Sequence, residues 1–374
     1  MHIETVHLVN FRCFSSLNLE FKSPIVLVYG PNGSGKTTIL EALHYACYLR
    51  SFKAHLHKHI IGPLAEGFSI DLGIIGPHGF DTLHVGLKRN KKSVQLNGQP
   101  VRSYEELYRV YKVVTIKEDD IAMIQGSPSL RRSFIDYMVL LFDPGFAALG
   151  KKYKVILDNR NALLIAPRND TESYMLWTEQ LLTISAEIQK KRLDALAWLT
   201  KEVKIIYATL FPGLLEGISF TYEYAKSYPD AAHLQSAEEL LGRYPSLVAR
   251  ERAQKRTLFG AHLDDLLIEF QQKSSKIYAS RGQQKLIVIL LKLAQVAFMK
   301  KRNEEVIVLI DDFMADFDEA KMEILIPLLA TLPSQLVITS PIKELIQEKF
   351  KAYDVQQIDL TDRSNACLTY PHQD

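Results

Sequence analysis

The eight residues Gly30-Pro31-Asn32-Gly33-Ser34-Gly35-Lys36-Thr37 satisfy G-x-x-x-x-G-K-[ST] at every fixed position, and they directly follow the unbroken apolar run Ile25–Tyr29. A run of that kind reads as a buried strand, and the stretch after the glycines reads as a helix reaching about Leu49. Strand, glycine loop and helix in this order constrain the chain to an α/β fold with a phosphate site at the strand's carboxyl end. Glycines let successive backbone N–H groups converge on phosphate oxygens, and the helix N-terminus adds partial positive charge. Lys36 would bridge the outer phosphates and Thr37 would offer its hydroxyl to Mg²⁺. The ligands this implies are ATP and Mg²⁺, with Gly30, Pro31, Asn32, Gly33, Ser34, Gly35, Lys36, Thr37 and Thr38 as the candidate nucleotide-binding residues. A chance match in an ordinary glycine turn would not need both flanking elements.

Two later stretches bear on the same chemistry. Val306–Ile310 is a second continuous apolar run, and Asp311-Asp312 follows it. A strand that delivers a carboxylate to a phosphate-bound magnesium has this form, with Asp311 as metal ligand beside Thr37 and Asp312 placed to orient the attacking water. Lys36, Asp311 and Asp312 are therefore the candidate catalytic residues. Taken alone, the acidic pair is equally a helix cap after a buried strand. Ser280-Arg281-Gly282-Gln283-Gln284-Lys285 precedes a long apolar helix, so Ser280 can cap that helix and Gly282 can expose backbone N–H groups to an anion.

The rest of the chain divides by pattern. Leu17, Leu19 and Phe21 alternate as in an edge strand. Phe68–Ile75, Phe80–Lys88 and Ser93–Leu96, separated by turn-forming residues that include Asn97-Gly98, predict a small antiparallel meander. From residue 120 to 258 the spacing becomes helical, including Leu181, Ile184, Ile188, Leu196, Leu199, Val203 and Ile206. Lys190-Lys191-Arg192 interrupts the heptads, which favours a compact antiparallel arm over a long coiled coil. Beyond residue 259 a strand is expected at Leu266–Phe270, a buried helix at Leu286–Met299, and parallel core strands at Val306–Ile310 and Gln335–Thr339. The expected organisation is an α/β head split between 1–119 and 259–374, with a helical lobe at 120–258 inserted.

Composition narrows the setting. With 374 residues, 47% of them hydrophobic, the chain can bury a core of ordinary size. Lys and Arg total 45 against 43 Asp and Glu, leaving +2, so a DNA surface must come from local clustering and not from bulk charge. Cys13, Cys47 and Cys367 form no C-x-x-C pair and are odd in number, which argues against a disulfide framework or a cysteine zinc site. No charged-then-apolar leader opens the chain, and the run Leu286–Met299 contains Lys292 and is short for a bilayer span. A soluble protein of the cytoplasm is expected.

With these residues in place a resemblance becomes specific. The loop Ser280–Lys285 looks like the signature of ABC-type ATPases, and its S-x-G-Q-Q-[RK] form is similar to that of the RecF family of bacterial recombination mediators. Leu8-Val9-Asn10-Phe11-Arg12, the continuation Ile39-Leu40-Glu41-Ala42, Gly126-Ser127-Pro128 with Arg131-Arg132-Ser133-Phe134-Ile135-Asp136, and Gly260-Ala261-His262-Leu263-Asp264-Asp265-Leu266 agree in order and spacing. The resemblance implies an ABC-type ATPase head, a parallel core sheet plus an antiparallel meander, with an inserted helical second lobe. It further implies a weak DNA-stimulated ATPase forming an ATP-dependent homodimer, in which Ser280 and Gly282 meet the γ-phosphate bound by the opposite subunit. By the same resemblance, Arg12 lies near the nucleotide phosphates and Asp318 lies in the loop crossing the dimer interface. The implied work is DNA repair, DNA replication and the SOS response to DNA damage. It is done on double- and single-stranded DNA at gapped junctions with RecR and RecO, where the recombinase is loaded. The sequence departs from the family at Ala261, Leu263, Arg281 and Ala315-Asp316-Phe317-Asp318.

Rival readings make different demands. A transport ATPase has a histidine after the last core strand, where Thr339-Ser340 stands, and far fewer than the roughly 240 residues found here between phosphate loop and signature. The head of an overcoming-lysogenization-type nuclease would need a further acidic metal-binding domain, and about 60 residues follow Asp312. His55, His57 and His59 alternate, but they read as a solvated loop beside the nucleotide site rather than as zinc ligands. Lys88-Arg89 with Lys91-Lys92, Lys151-Lys152 with Lys154, and Arg250, Arg252, Lys255 and Arg256 are candidate DNA-phosphate contacts or plain solvated faces. Trp177 and Trp198 read as core.

Overall fold

The computed structural model describes residues 1–53, 59–76, 79–89, 91–101, 107, 110–166, 170–212, 217–302, 304–312, 319–341 and 348–361. In chain order the strands and helices are β1 (His2–Phe11), β2 (Phe14–Glu20), β3 (Ile25–Tyr29), α1 (Lys36–Tyr48), β4 (Gly67–Gly76), β5 (Gly79–Lys88), β6 (Lys91–Leu96), β7 (Gln99–Pro100) and β8 (Lys112–Lys117). Then come α2 (Ala122–Gln125), α3 (Pro128–Phe142), α4 (Phe146–Ile165), α5 (Thr171–Leu210), β9 (Ile218–Glu223), α6 (Ala237–Arg243) and α7 (Leu247–Gln254). The remainder is β10 (Asp265–Phe270), β11 (Lys273–Ser274), α8 (Ser275–Tyr278), α9 (Arg281–Lys301), β12 (Val306–Asp311), α10 (Glu319–Ala330), β13 (Gln335–Ser340) and β14 (Val355–Asp359).

The chain forms two compact units, one of Met1–Asp119 with Gln295–Asp374, the other Asp120–Ala294. In the first unit, five parallel strands run in the order β14-β3-β13-β12-β8. β3 and β13 are buried at every position, which is why β3 reads as an unbroken apolar run and not as an alternating one. A second sheet, antiparallel, has the order β2-β1-β4-β5-β6-β7, so the Leu17 strand is an edge as its alternation predicts. Asn97 and Gly98, with φ of 52° and 74°, turn β6 into β7 in the left-handed conformations that an Asn-Gly pair tolerates best. α1 packs against strands of both sheets, and Ile39, Leu40, Leu43 and Tyr45 share one core with Val6, Leu8, Ile70, Val85, Leu309 and Val337. Each such aliphatic side chain contributes about 1.5–3 kcal/mol by leaving water.

The second unit is built on α5, a single helix of 40 residues. It runs through Lys190-Lys191-Arg192, where Arg192 is buried rather than solvated, donating to Asp136 at 2.7 and 3.0 Å and to the Ala261 carbonyl at 2.6 Å. α4 lies antiparallel to α5, since Arg160 meets Tyr174 and Thr178 while Tyr153 bonds to His262 and packs near Ser185. Arg160 is fully buried, paired with Glu251 at 2.7 and 3.1 Å, and stacked between the rings of Tyr174 and Phe259.

Residues 259–294, expected to belong to the head, cluster instead with the helical unit, and within it β10 pairs antiparallel with β9 along its whole length. β9 itself was not anticipated inside the helical stretch. Several motif residues serve this packing: Arg131 makes a two-pronged contact with Asp265 at 2.7 and 2.9 Å, and Arg132 donates to the Asp264 carbonyl at 2.6 Å. Asp264 is fully buried and accepts from Tyr222 at 2.6 Å, Gln189 at 2.9 Å and the Ala225 amide at 3.0 Å. α9 is 21 residues and is long and apolar enough to cross a membrane by length and composition, longer than the apolar run alone suggested. Most of it is buried inside the protein, as in a core helix.

Candidate nucleotide site

The phosphate loop joins β3 to α1 at the carboxyl edge of the parallel sheet, and the ends of β12 and β13 lie along the same edge. Gly33 and Gly35 have φ of 83° and 97°, in the left-handed region that penalises a Cβ. At Gly35 a Cβ would also fall 2.3 Å from the Phe14 ring, so glycine is required there twice over. Lys36 is 5% exposed, and its ammonium curls over the loop to donate to the carbonyls of Gly30 at 2.9 Å and Pro31 at 3.1 Å.

Thr37 Oγ1 donates to Asp311 Oδ1 at 2.9 Å, which brings the two expected metal-binding residues together. Asp311 also takes a hydrogen bond from Thr339 Oγ1 at 2.9 Å. Burial raises the pKa of its carboxyl above the ordinary carboxylate value, the Thr37 and Thr339 hydrogen bonds pull it down, the charge of Asp312 adds to the rise, and Lys53 opposes it. Asp312 has φ of 39° and lines an open cleft of about 420 Å³. Asn32, Gly33, Gly35, Lys36, Thr37 and Thr38 line the same cleft, with Arg12, Cys13, Lys53, His59, Ile61 and Pro63.

The donors fit the expected ligands. A carboxylate and a hydroxyl converging at a strand end are the hard oxygens that Mg²⁺ prefers. The Ser34 hydroxyl is buried in the loop with no hydrogen-bond partner among the described residues, as suits a cradle made for an oxyanion.

Arg12 reaches the cleft wall, but its guanidinium is clamped by Glu41 at 2.8 and 2.7 Å, so its charge is shared and not free. Glu41, only 1% exposed, also accepts from the Ser51 hydroxyl, which in turn accepts the amide of Lys53 at 3.0 Å. Glu41, Lys53 and Thr339 were not singled out as site residues from sequence, whereas His59 lines the cleft beside which its loop was expected. A carboxylate in an otherwise apolar helix face, and a hydroxyl closing an apolar strand, are the signals that could have marked Glu41 and Thr339.

Every residue lining the cleft belongs to the first unit, whereas Ser280 and Gly282 belong to the second. Ser280 caps α9 reciprocally with Gln283: the Gln283 amide donates to Ser280 Oγ at 3.3 Å and the Ser280 amide to Gln283 Oε1 at 2.8 Å. Gln284 anchors the turn by donating to the Ser275 and Ala279 carbonyls at 3.0 and 3.2 Å. Asp318, with the rest of Ala315–Asp318, and His55 and His57 lie outside the described residues.

The basic runs are partly engaged. Arg89 pairs with Glu66 at 2.9 Å, and Lys92 donates to the Leu49 carbonyl at 3.3 Å beneath the Tyr45 ring. Lys151, Lys152 and Lys154 are exposed, and the Arg250 guanidinium lies 5.5 Å from the Tyr228 ring centre.

Residues 5–133 match a family model described as an AAA domain. The chain is 30% identical over 351 residues to the DNA replication and repair protein RecF of Chlorobium limicola, covering 91% of this chain and 95% of that one. To the protein of the same name from Carboxydothermus hydrogenoformans it is 30% identical, with 91% and 94% covered. A solved structure of the recombination mediator protein RecF with ATP in the RecFOR pathway superposes with a TM-score of 0.78 at 23% identity, over 91% of this chain and 92% of that one. An Smc head domain from Pyrococcus furiosus superposes at 0.54 and 17% identity, over 93% and 91% of the two chains. Both are likenesses of fold alone, and the fold is that of an ABC-type ATPase head. Identity at this level along nearly the whole length shows that the chain belongs to the RecF family of DNA replication and repair proteins.

Proposed function

We propose that this chain is an ATP-gated DNA-binding protein of recombinational repair, a weak ATPase that closes as a dimer on DNA when it holds ATP and Mg²⁺. The observation that carries this reading is the junction of Thr37 with Asp311 at the carboxyl edge of the sheet, beside a glycine loop with a lysine folded over it. When bound, Mg²⁺–ATP supplies the scissile phosphoanhydride and a cation that neutralises its charge. The loop amides and Lys36 hold the phosphates, with Lys36 exchanging the Gly30 and Pro31 carbonyls for phosphate oxygens. Thr37 and Asp311 hold the metal. Asp312, on the cleft wall, orients the attacking water.

Ser280 and Gly282 of a second copy close the site, so that the γ-phosphate becomes part of the dimer contact and ADP does not substitute. Exposed lysines and arginines hold DNA by its phosphates, without reading bases. RecR and RecO are the partners, gapped DNA is the substrate, and the place of action is the cytoplasm. Support for these comes from the family alone. DNA anisotropy and sedimentation, each with ATP, with ADP and without nucleotide, test the proposal. ATP should raise both DNA affinity and the dimer fraction, and equal behaviour in all three conditions would overturn it.

A further inference from the structure

The roles above leave Thr339 unexplained. It stands on β13, fully buried, next to the end of β12. Its Oγ1 lies 2.9 Å from Asp311 Oδ1 and 3.4 Å from Asp312 Oδ1, and it accepts the Asp312 amide at 3.0 Å. A hydroxyl has one proton and two lone pairs. The Asp312 N–H takes a lone pair, and the proton goes to the nearer carboxylate, that of Asp311. Asp312 meanwhile holds φ of 39°, a positive value that is uncommon for a residue with a Cβ, although aspartate adopts it more readily than most. In that conformation Asp312 lines the cleft, whereas Asp311 turns to Thr37.

We propose that Thr339 is a positioning residue of the hydrolytic site. One hydroxyl fixes both the direction of the Asp311 carboxylate towards Thr37 and the backbone turn that presents Asp312 to the cleft. Two like charges on consecutive residues would otherwise splay apart, and the shared hydroxyl gives each a fixed bearing. The inference rests on the reading that Asp311 holds the metal and Asp312 orients water.

The test uses the full chain with Thr339→Val, which keeps the shape and removes the hydrogen bonds, and Thr339→Ser, which keeps the hydroxyl. Three quantities are measured: amide hydrogen exchange at the end of β12 without nucleotide, Mn²⁺ affinity with a non-hydrolysable ATP analogue by electron paramagnetic resonance, and kcat and KM for ATP. In Thr339→Val, exchange at Asp312 should quicken about tenfold, since one hydrogen bond is lost, and kcat should fall about 10- to 100-fold with KM within about twofold. Mn²⁺ affinity should fall several-fold, and Thr339→Ser should restore all three. Wild-type exchange and kcat in Thr339→Val would overturn the proposal, as would a Thr339→Ser as defective as Thr339→Val, which would assign the effect to packing of the methyl group. Should Thr339→Val not fold, Thr339→Ala against Thr339→Ser makes the same comparison. Asp311→Asn run alongside separates the two ideas. If it hydrolyses ATP like the wild type, the metal-site reading fails, whereas the positioning role is still judged by exchange at Asp312.

Discussion

Thr37 Oγ1 donates to Asp311 Oδ1 over 2.9 Å, joining the first turn of α1 to the end of β12 across 274 positions of sequence. That bond links the phosphate loop to the acidic strand end, and it holds each partner in a direction that a shared cation can use.

Lys36 folds over its own loop, its ammonium on the Gly30 and Pro31 carbonyls, and the proposed function has it exchange these for the outer phosphates. Lys36→Ala should weaken ATP binding about 10- to 100-fold, the worth of charge-assisted hydrogen bonds, and abolish ATP-dependent DNA binding with the fold intact. Lys36→Arg keeps the charge but misplaces it, and should harm turnover more than binding. Titration with a fluorescent ATP analogue, alongside circular dichroism, checks both. Unchanged binding by a folded Lys36→Ala would remove the loop from the nucleotide site.

Asp311 makes a pH-dependent contribution whose sign follows from its environment. Burial first of all pushes its carboxyl pKa up, so the native chain holds that proton more tightly than the unfolded chain does. The group therefore favours the native state in acid, and this contribution is lost as pH rises through the native pKa. Asparagine keeps an acceptor for Thr37 and Thr339 without the buried charge. Without nucleotide or metal, Asp311→Asn should melt higher than the wild type above neutrality, by about 1–3 °C. The gap should close in mild acid. A gap that widened as pH fell would show that the hydrogen bonds outweigh burial.

Arg160 and Glu251 are both fully buried, and each would be left as an uncompensated charge without the other. Arg160→Met should cost about 3–5 kcal/mol, whereas Arg160→Met with Glu251→Leu should recover most of that loss. Urea unfolding of the three proteins provides the measurement. A single variant as stable as the wild type would mean that water reaches this pair.

Ser280→Arg tests closure by a second copy. It removes a helix cap worth about 1 kcal/mol, which a folded protein of this size tolerates, and leaves Lys36 and Thr37 untouched. ATP affinity should stay near wild type, whereas sedimentation should show no ATP-driven dimer and hydrolysis should be suppressed. Mixing Ser280→Arg with Lys36→Ala chains should restore part of the hydrolysis, because one composite site then holds two intact halves. Wild-type turnover by Ser280→Arg monomers would contradict closure in trans.

The phosphate loop was legible because its determinants are local. β3 is an unbroken apolar run, glycines stand where φ is positive, and α1 begins within two residues of the last of them. The meander was legible for the same reason, since alternation and an Asn-Gly turn act over a few residues. The strand β1 was not read: its inward Ile3, Val6 and Leu8 are interrupted by a shift of register between Ile3 and Thr5, which breaks the period of two. The burial of Arg192 inside α5 also depended on something distant, namely Asp136 and the Ala261 carbonyl that accept from it. The same holds at the site. Sequence by itself determined that a lysine loop and an acidic strand end exist, because backbone preference and apolar patterning are properties of short windows. Only the tertiary structure decided that β13 lies between β3 and β12, which brings Thr339 to both carboxylates and Asp311 to Thr37. Strand order and the pairing of buried charges are settled by packing between residues far apart in the chain, and no local pattern encodes them.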